Sequence, residues 1–199
     1  MAKNFQLVAG HVALDFANTL DWRYVPDRRV ELVPSYERFI AFSHQSGVIT
    51  AAQVSALLSA TSAAEAERIH AKVIELRETL YALFLSVVSG KKPGSQVVQK
   101  MNDFLAQARV VDTIHWHQGS VVRTHDNLDK TPDGPLWPIL EAAVSLLTSP
   151  QVKRMRECNE GKCRWLFLDT SRNQSRRWCD MQICGNRVKA QRFYARTRK

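Results

Sequence analysis

The chain has 199 residues, 45% hydrophobic and 24% charged, the balance of an ordinary globular protein with length for a core and one or two domains. No apolar run approaches the roughly 20 residues a membrane-crossing helix needs, and MAKNFQLVAG has one lysine and too short an apolar stretch for a signal peptide. Membrane and secreted classes are thereby disfavoured, and a cytoplasmic setting is expected, where cysteines stay reduced and more often bind metal than pair.

Residues 5–20, FQLVAGHVALDFANTL, read as a short strand followed by a helix or buried turn. DWRYVPDRRVEL follows as a polar, proline-containing loop, and from Ser35 the pattern becomes helical. Thr50 with Gln53 and Ser62 with Glu65 form two capping boxes, each opening a helix. The second helix is the clearest element, with Ile69, Val73, Leu76, Leu80, Leu83, Phe84 and Val87 making a wide apolar face that stops at Gly90. Gly94–Ala108 reads as another helix. VVDTIHW and VVRTH then read as two strands joined by a turn at His117-Gln118-Gly119-Ser120. A last helix, Pro135–Leu147, packs with Trp137, Leu140, Val144 and Leu147 before Pro150 breaks it.

Charge is unevenly distributed. Residues 1–149 carry 14 Lys/Arg against 15 Asp/Glu, whereas residues 150–199 carry 14 against 4, which accounts for the net charge of +9. All four cysteines lie in that basic quarter. Two unrelated compositional signals change together near Ser149–Pro150, which predicts a mainly helical domain over 1–149 and a separate module over 150–199.

Cys158, Cys163, Cys179 and Cys184 are spaced C-x4-C, fifteen residues, C-x4-C. Two close pairs on two short loops supply the four soft ligands of a tetrahedral zinc site. Gly161 is the residue type that would let the first loop curl, and Cys184 is expected at a helix N-terminus, where the backbone dipole favours thiolate. RWLFLD reads as a strand between the pairs, so a knuckle, a hairpin and a ligand-bearing helix make a treble-clef or zinc-ribbon-like module. Four cysteines close the metal shell, so one structural Zn²⁺ is expected rather than a catalytic one.

After Cys184, GNRVKAQRFYARTRK reads as a helix on which Lys189, Arg192, Arg196 and Lys199 fall within roughly 80° of one another. This acid-free stripe suits phosphate contacts, with Arg172, Arg176 and Arg177 extending it. Ala190, Phe193, Tyr194 and Thr197 form a more apolar face, expected to cover the zinc hairpin. A solvated basic tail is the plain alternative, and a small apolar face argues against a membrane-surface helix.

His115 and His117 face one side of a predicted strand, with no acidic or cysteine cluster beside them. Asp15, Asn18, Asp21 and Arg23, interleaved with Leu14, Phe16 and Leu20, are candidates to line a small-ligand pocket, although buried capping or helix-anchoring roles are the favoured reading. No phosphate-binding loop, dinucleotide motif, nucleophile elbow or zinc-protease helix is present, so an enzyme is not expected.

CNEGKCRWLFLDTSRNQSRRWCDMQICGNR resembles the CGNR zinc finger, over essentially all of 150–199. LDFANTLDWR near the N-terminus resembles the opening of the ABATE domain, which precedes that finger in bacterial proteins described as stress-induced transcription regulators. The resemblance implies zinc at the four cysteines, DNA binding by the finger and ligand sensing by the helical domain. It also gives Asn186 a helix-capping part and Arg187 a hydrogen bond to a zinc thiolate or a nearby carbonyl. The expectation is a mainly α protein with a small β element that regulates transcription, binding DNA as a homodimer and answering to a small-molecule effector. The alternative is an RNA-binding or protein-interaction zinc module.

Overall fold

A computed structural model describes residues 4–108, 113–124 and 127–197. Helices α1 (Val12–Ala17), α2 (Tyr36–Gln45), α3 (Ala51–Ala60), α4 (Ala63–Val88), α5 (Ser95–Gln107), α6 (Leu136–Thr148) and α7 (Asn186–Thr197) dominate it. Three two-stranded antiparallel sheets accompany them among the described residues: β1 (Leu20–Asp21) with β2 (Val30–Glu31), β3 (Thr113–His117) with β4 (Ser120–Thr124), and β5 (Met155–Glu157) with β6 (Leu166–Leu168). The fold is mainly α with small β elements.

Local chemistry explains most boundaries. Both capping boxes form, with Thr50 and Ser62 accepting from the backbones of Gln53 and Glu65 while those side chains accept in return. Ser35 caps α2 by accepting from Arg38 N–H. The apolar stripe of α4 is buried from Ile69 to Phe84, and Val87, one turn past the core's edge, is exposed. α4 spans about 39 Å at 1.5 Å per residue and is the spine against which α1, α2, α5, α6 and β5 pack. The β3–β4 turn has Gln118 at φ 47° and Gly119 at φ 83°, the pair of left-handed residues that a tight hairpin needs. Residues 110–112 and 125 of the expected strands, and the side chain of His115, lie outside the described residues.

Two expectations are corrected. Residues 5–9 form no strand; they pass beside β6 and accept one ladder-like bond, Leu168 N–H to Ala9 O at 2.8 Å. The polar loop after Leu20 contains the β1–β2 pair, two residues per strand, too short to leave a periodic trace.

The core does not stop near residue 150. Phe16, Phe39, Phe42, Leu80 and Phe84 from the helical part and Met155, Leu166, Phe167 and the four cysteines belong to one continuous buried cluster. The basic module is seated on the helical frame, and α1 and α4 touch β6 and β5 directly.

Candidate functional site

β5 and β6 pair in the register Met155↔Leu168, which sets Cys158 at the start of the loop joining them and Cys163 within that loop. Cys158 N–H donates to Trp165 O at 2.8 Å and Cys163 N–H to Glu160 O at 3.0 Å, folding the knuckle. Its left-handed residue is Arg164, at φ 53°. Gly161 needs no positive φ, and a Cβ there would meet nothing within 4 Å, so the expected glycine hinge lies one residue beyond Cys163 and on an arginine. That arginine is held by a bidentate pair with Glu157 (2.7 and 3.3 Å) and by stacking on Tyr24, 4.1 Å from the ring centre.

Asp169, fully buried, organises the next loop. Its carboxylate accepts from Ser171 N–H, Ser171 Oγ–H and Arg176 N–H at 2.6–3.0 Å, which holds its pKa low against the desolvation that opposes it. Cys179 follows, and Asp180 then accepts from Gln182 and Ile183 N–H at 2.6 and 3.0 Å. This caps one wide helical turn, Met181–Gly185, that carries Cys184 straight into α7. Cys184 thus lies in the first turn of a helical segment, as expected, but Asp180 is the cap and Asn186 is simply helical and exposed. An aspartate immediately before a helical run is a legible cap signal.

All four sulfurs are buried and lie within 4.8 Å of one another, with Cys163–Cys179 and Cys179–Cys184 each at 3.6 Å. Thiolates about 2.3 Å from a tetrahedral zinc stand roughly 3.8 Å apart, so the cluster has the size of a zinc shell. Hydrogen bonding from Cys163, Cys179 and Cys184 drives the Cys158 thiol far below its ordinary range, and Cys158 drives Cys163 and Cys179 far above theirs. At this spacing four thiolates ionise together only around a cation.

The first family model to match, over residues 10–150, is ABATE, described as "putative stress-induced transcription regulator". The chain belongs to the ABATE family. A second model, the CGNR zinc finger, matches residues 154–197, so the cysteine cluster is that of a zinc finger following an ABATE domain. No curated protein matches the chain.

The opening of the ABATE domain, LDFANTLDWR, is the socket for the finger. Asn18 makes a two-way bond to the backbone of Leu166, donating to its carbonyl at 2.8 Å and accepting from its N–H at 2.9 Å. Asp21 accepts from Trp165 Nε1–H at 3.0 Å and from Trp22 N–H at 2.8 Å. Asp15 is buried and accepts from Ala9 N–H at 2.9 Å, and burial raises its pKa to about 6. Arg23 pairs with Glu78 and lies 3.9 Å over Tyr81. Asp15, Asn18, Asp21 and Arg23, expected to line a pocket or to anchor helices, each bond an internal partner, which is the anchoring role, and Asp21 also borders a cavity. That cavity, about 40 Å³ between Trp22, Trp165, Cys163, Cys184 and Arg187, has room for a water or two rather than an effector.

Arg187 of the CGNR stretch joins the three parts. It donates to the buried Glu160 carboxylate at 3.2 Å, not to a thiolate, and lies 4.7 Å over Trp22, whose other neighbour is Arg28 at 4.4 Å. Trp22 itself sits at φ 49°, a conformation costly for a bulky residue. A strained tryptophan between two guanidinium groups is a contact the surroundings enforce.

Of the cationic set, Lys189, Arg192 and Arg196 are exposed along α7, and Arg172 and Arg177 are exposed on the segment leading to Cys179; Lys199 lies outside the described residues. Arg176 leaves the set. Its guanidinium donates to Trp178 O (2.9 Å), Val8 O (3.0 Å) and Cys179 O and stacks on Phe167, so it ties the finger to the N-terminal segment. The apolar face of α7 also departs from expectation: no residue of α7 is buried, and Phe193 and Tyr194 are each 63% exposed.

Proposed function

We propose that the protein is a transcription regulator whose finger holds one structural Zn²⁺ through Cys158, Cys163, Cys179 and Cys184 and presents α7 to DNA. Four thiolates fill a tetrahedral shell and leave no position for water or substrate, which favours a binding role over a catalytic one. The observation that carries the DNA reading is α7 itself. It is tethered at Cys184, its N-terminal turn is fixed by Arg187, and beyond that it is exposed with Lys189, Arg192 and Arg196 on one stripe and no acid from Asn186 onward.

Zinc with four thiolates is formally −2, and Arg164 and Arg187 beside it are engaged by Glu157 and Glu160. The exposed cations available to phosphate include Lys189, Arg192 and Arg196 of α7, with Arg172 and Arg177. The helical domain serves as the frame that sets the helix's direction. A single module of this size buries about 600–1,000 Å² on DNA, so specific recognition calls for two copies; a monomer with full sequence-specific affinity in sedimentation would contradict that.

Duplex binding measured across salt concentrations tests the reading. Each phosphate contact adds about 0.9 to the slope of log K against log salt, so Lys189→Ala with Arg192→Ala should weaken binding and flatten the slope by about 1.8. Unchanged affinity and slope would remove α7 from the interface, and stronger binding to RNA than to duplex DNA would favour an RNA-binding module instead.

A further inference from the structure

Phosphate contacts account for the cations of α7 but not for its aromatics. Phe193 and Tyr194 meet edge to face, ring centres 5.7 Å apart, and both stand out into solvent. On a helix, Phe193 lies about 40° from Lys189 and about 60° from Arg196, so it continues the cationic stripe rather than backing it. Its ring has no polar atom to offer a phosphate. Tyr194, about 100° further round, points away from the stripe and braces the ring from behind.

The helix is also free where a helix lying on a flat surface would not need to be. α7 is 12 residues, about 18 Å long and 10–12 Å across, and the major groove is about 12 Å wide. Beyond Val188 every described residue of α7 is exposed, so a helix with cations along one side to meet a phosphate backbone fits inside that groove. There the base edges offer an apolar group in one place, the 5-methyl of thymine.

We propose that α7 enters the major groove of duplex DNA and that Phe193 reads thymine methyl groups there, a source of sequence preference separate from the phosphate contacts. The proposal rests on the DNA-binding reading above and adds a base-contacting residue to it.

Two duplexes decide it: an alternating A·T duplex, and the same duplex with deoxyuridine replacing every thymidine. Their phosphates are identical, so the salt-dependent part of binding cancels between them. Burying one methyl contributes about 0.8 kcal/mol, or about fourfold in affinity. The zinc-loaded wild-type protein should bind the thymine duplex at least about fourfold more tightly. Phe193→Ala, with zinc content unchanged, should bind both equally with the wild-type salt slope. Equal wild-type affinity for the two duplexes overturns the proposal while leaving DNA binding intact, and needs no variant. A thymine preference that survives in Phe193→Ala also overturns it. Failure of the wild type to bind either duplex in a salt-dependent way overturns both readings together.

Discussion

Asp15 and Asn18 carry the junction between the two parts at the scale of single atoms. Asp15 keeps a carboxylate in the core, and burial lifts its pKa to about 6, well above the usual carboxylate range of about 4. The native state therefore holds this proton more tightly than the unfolded chain, and stability is lost as pH rises from about 4 to about 6, not as it falls. A shift of that size corresponds to roughly 3 kcal/mol. Asp15→Asn keeps the acceptor for Ala9 N–H and removes the charge, so the variant's stability advantage should grow by roughly that amount between pH 4 and pH 7 in denaturant titrations. An advantage that does not change with pH would contradict the burial argument. Asn18 is a second test: Asn18→Ala strands the buried N–H and carbonyl of Leu166, costing about 3 kcal/mol and lowering the melting temperature by roughly 6–12 °C for a chain this size. A loss under 1 °C would mean that water replaces the amide freely.

At the scale of elements, the local signals were legible and the distant ones were not. Capping boxes at Thr50 and Ser62, the stripe of α4 as far as Phe84 and the turn at Gln118-Gly119 depend on residues within one or two turns of each other, and each forms as the sequence predicts. The matched cysteine pairs were legible because metal ligation needs residue type and spacing. Asn18 and Leu166 are 148 positions apart and Arg176 and Val8 168, so no periodicity marks them, and the polar residues of the ABATE opening could be read as a pocket. The apolar face of α7 was misplaced for a different reason: amphipathicity says that a face exists, not that anything covers it. Asp180 is the element-scale prediction. Removing this cap in Asp180→Ala frees the turn bearing Cys184 at a cost of about 1 kcal/mol, a zinc affinity about fivefold weaker by chelator competition. Unchanged affinity would show that the turn is held by the thiolates alone.

For the whole molecule, one core means one fate. The zinc cysteines, Trp165 and Phe167 share a cluster with α1 and α4, and Arg187 couples Glu160 of the knuckle, Trp22 of the ABATE opening and the start of α7. In the function proposed above, the metal sets the direction of a helix that has little packing of its own. The most direct measurement is duplex binding across salt concentrations by zinc-loaded protein, by the same protein stripped of zinc, and after zinc is restored. Binding with a negative salt slope, lost on stripping and recovered on reloading, is the predicted result; equal affinity and slope for stripped and loaded protein would contradict a zinc-held DNA-binding helix.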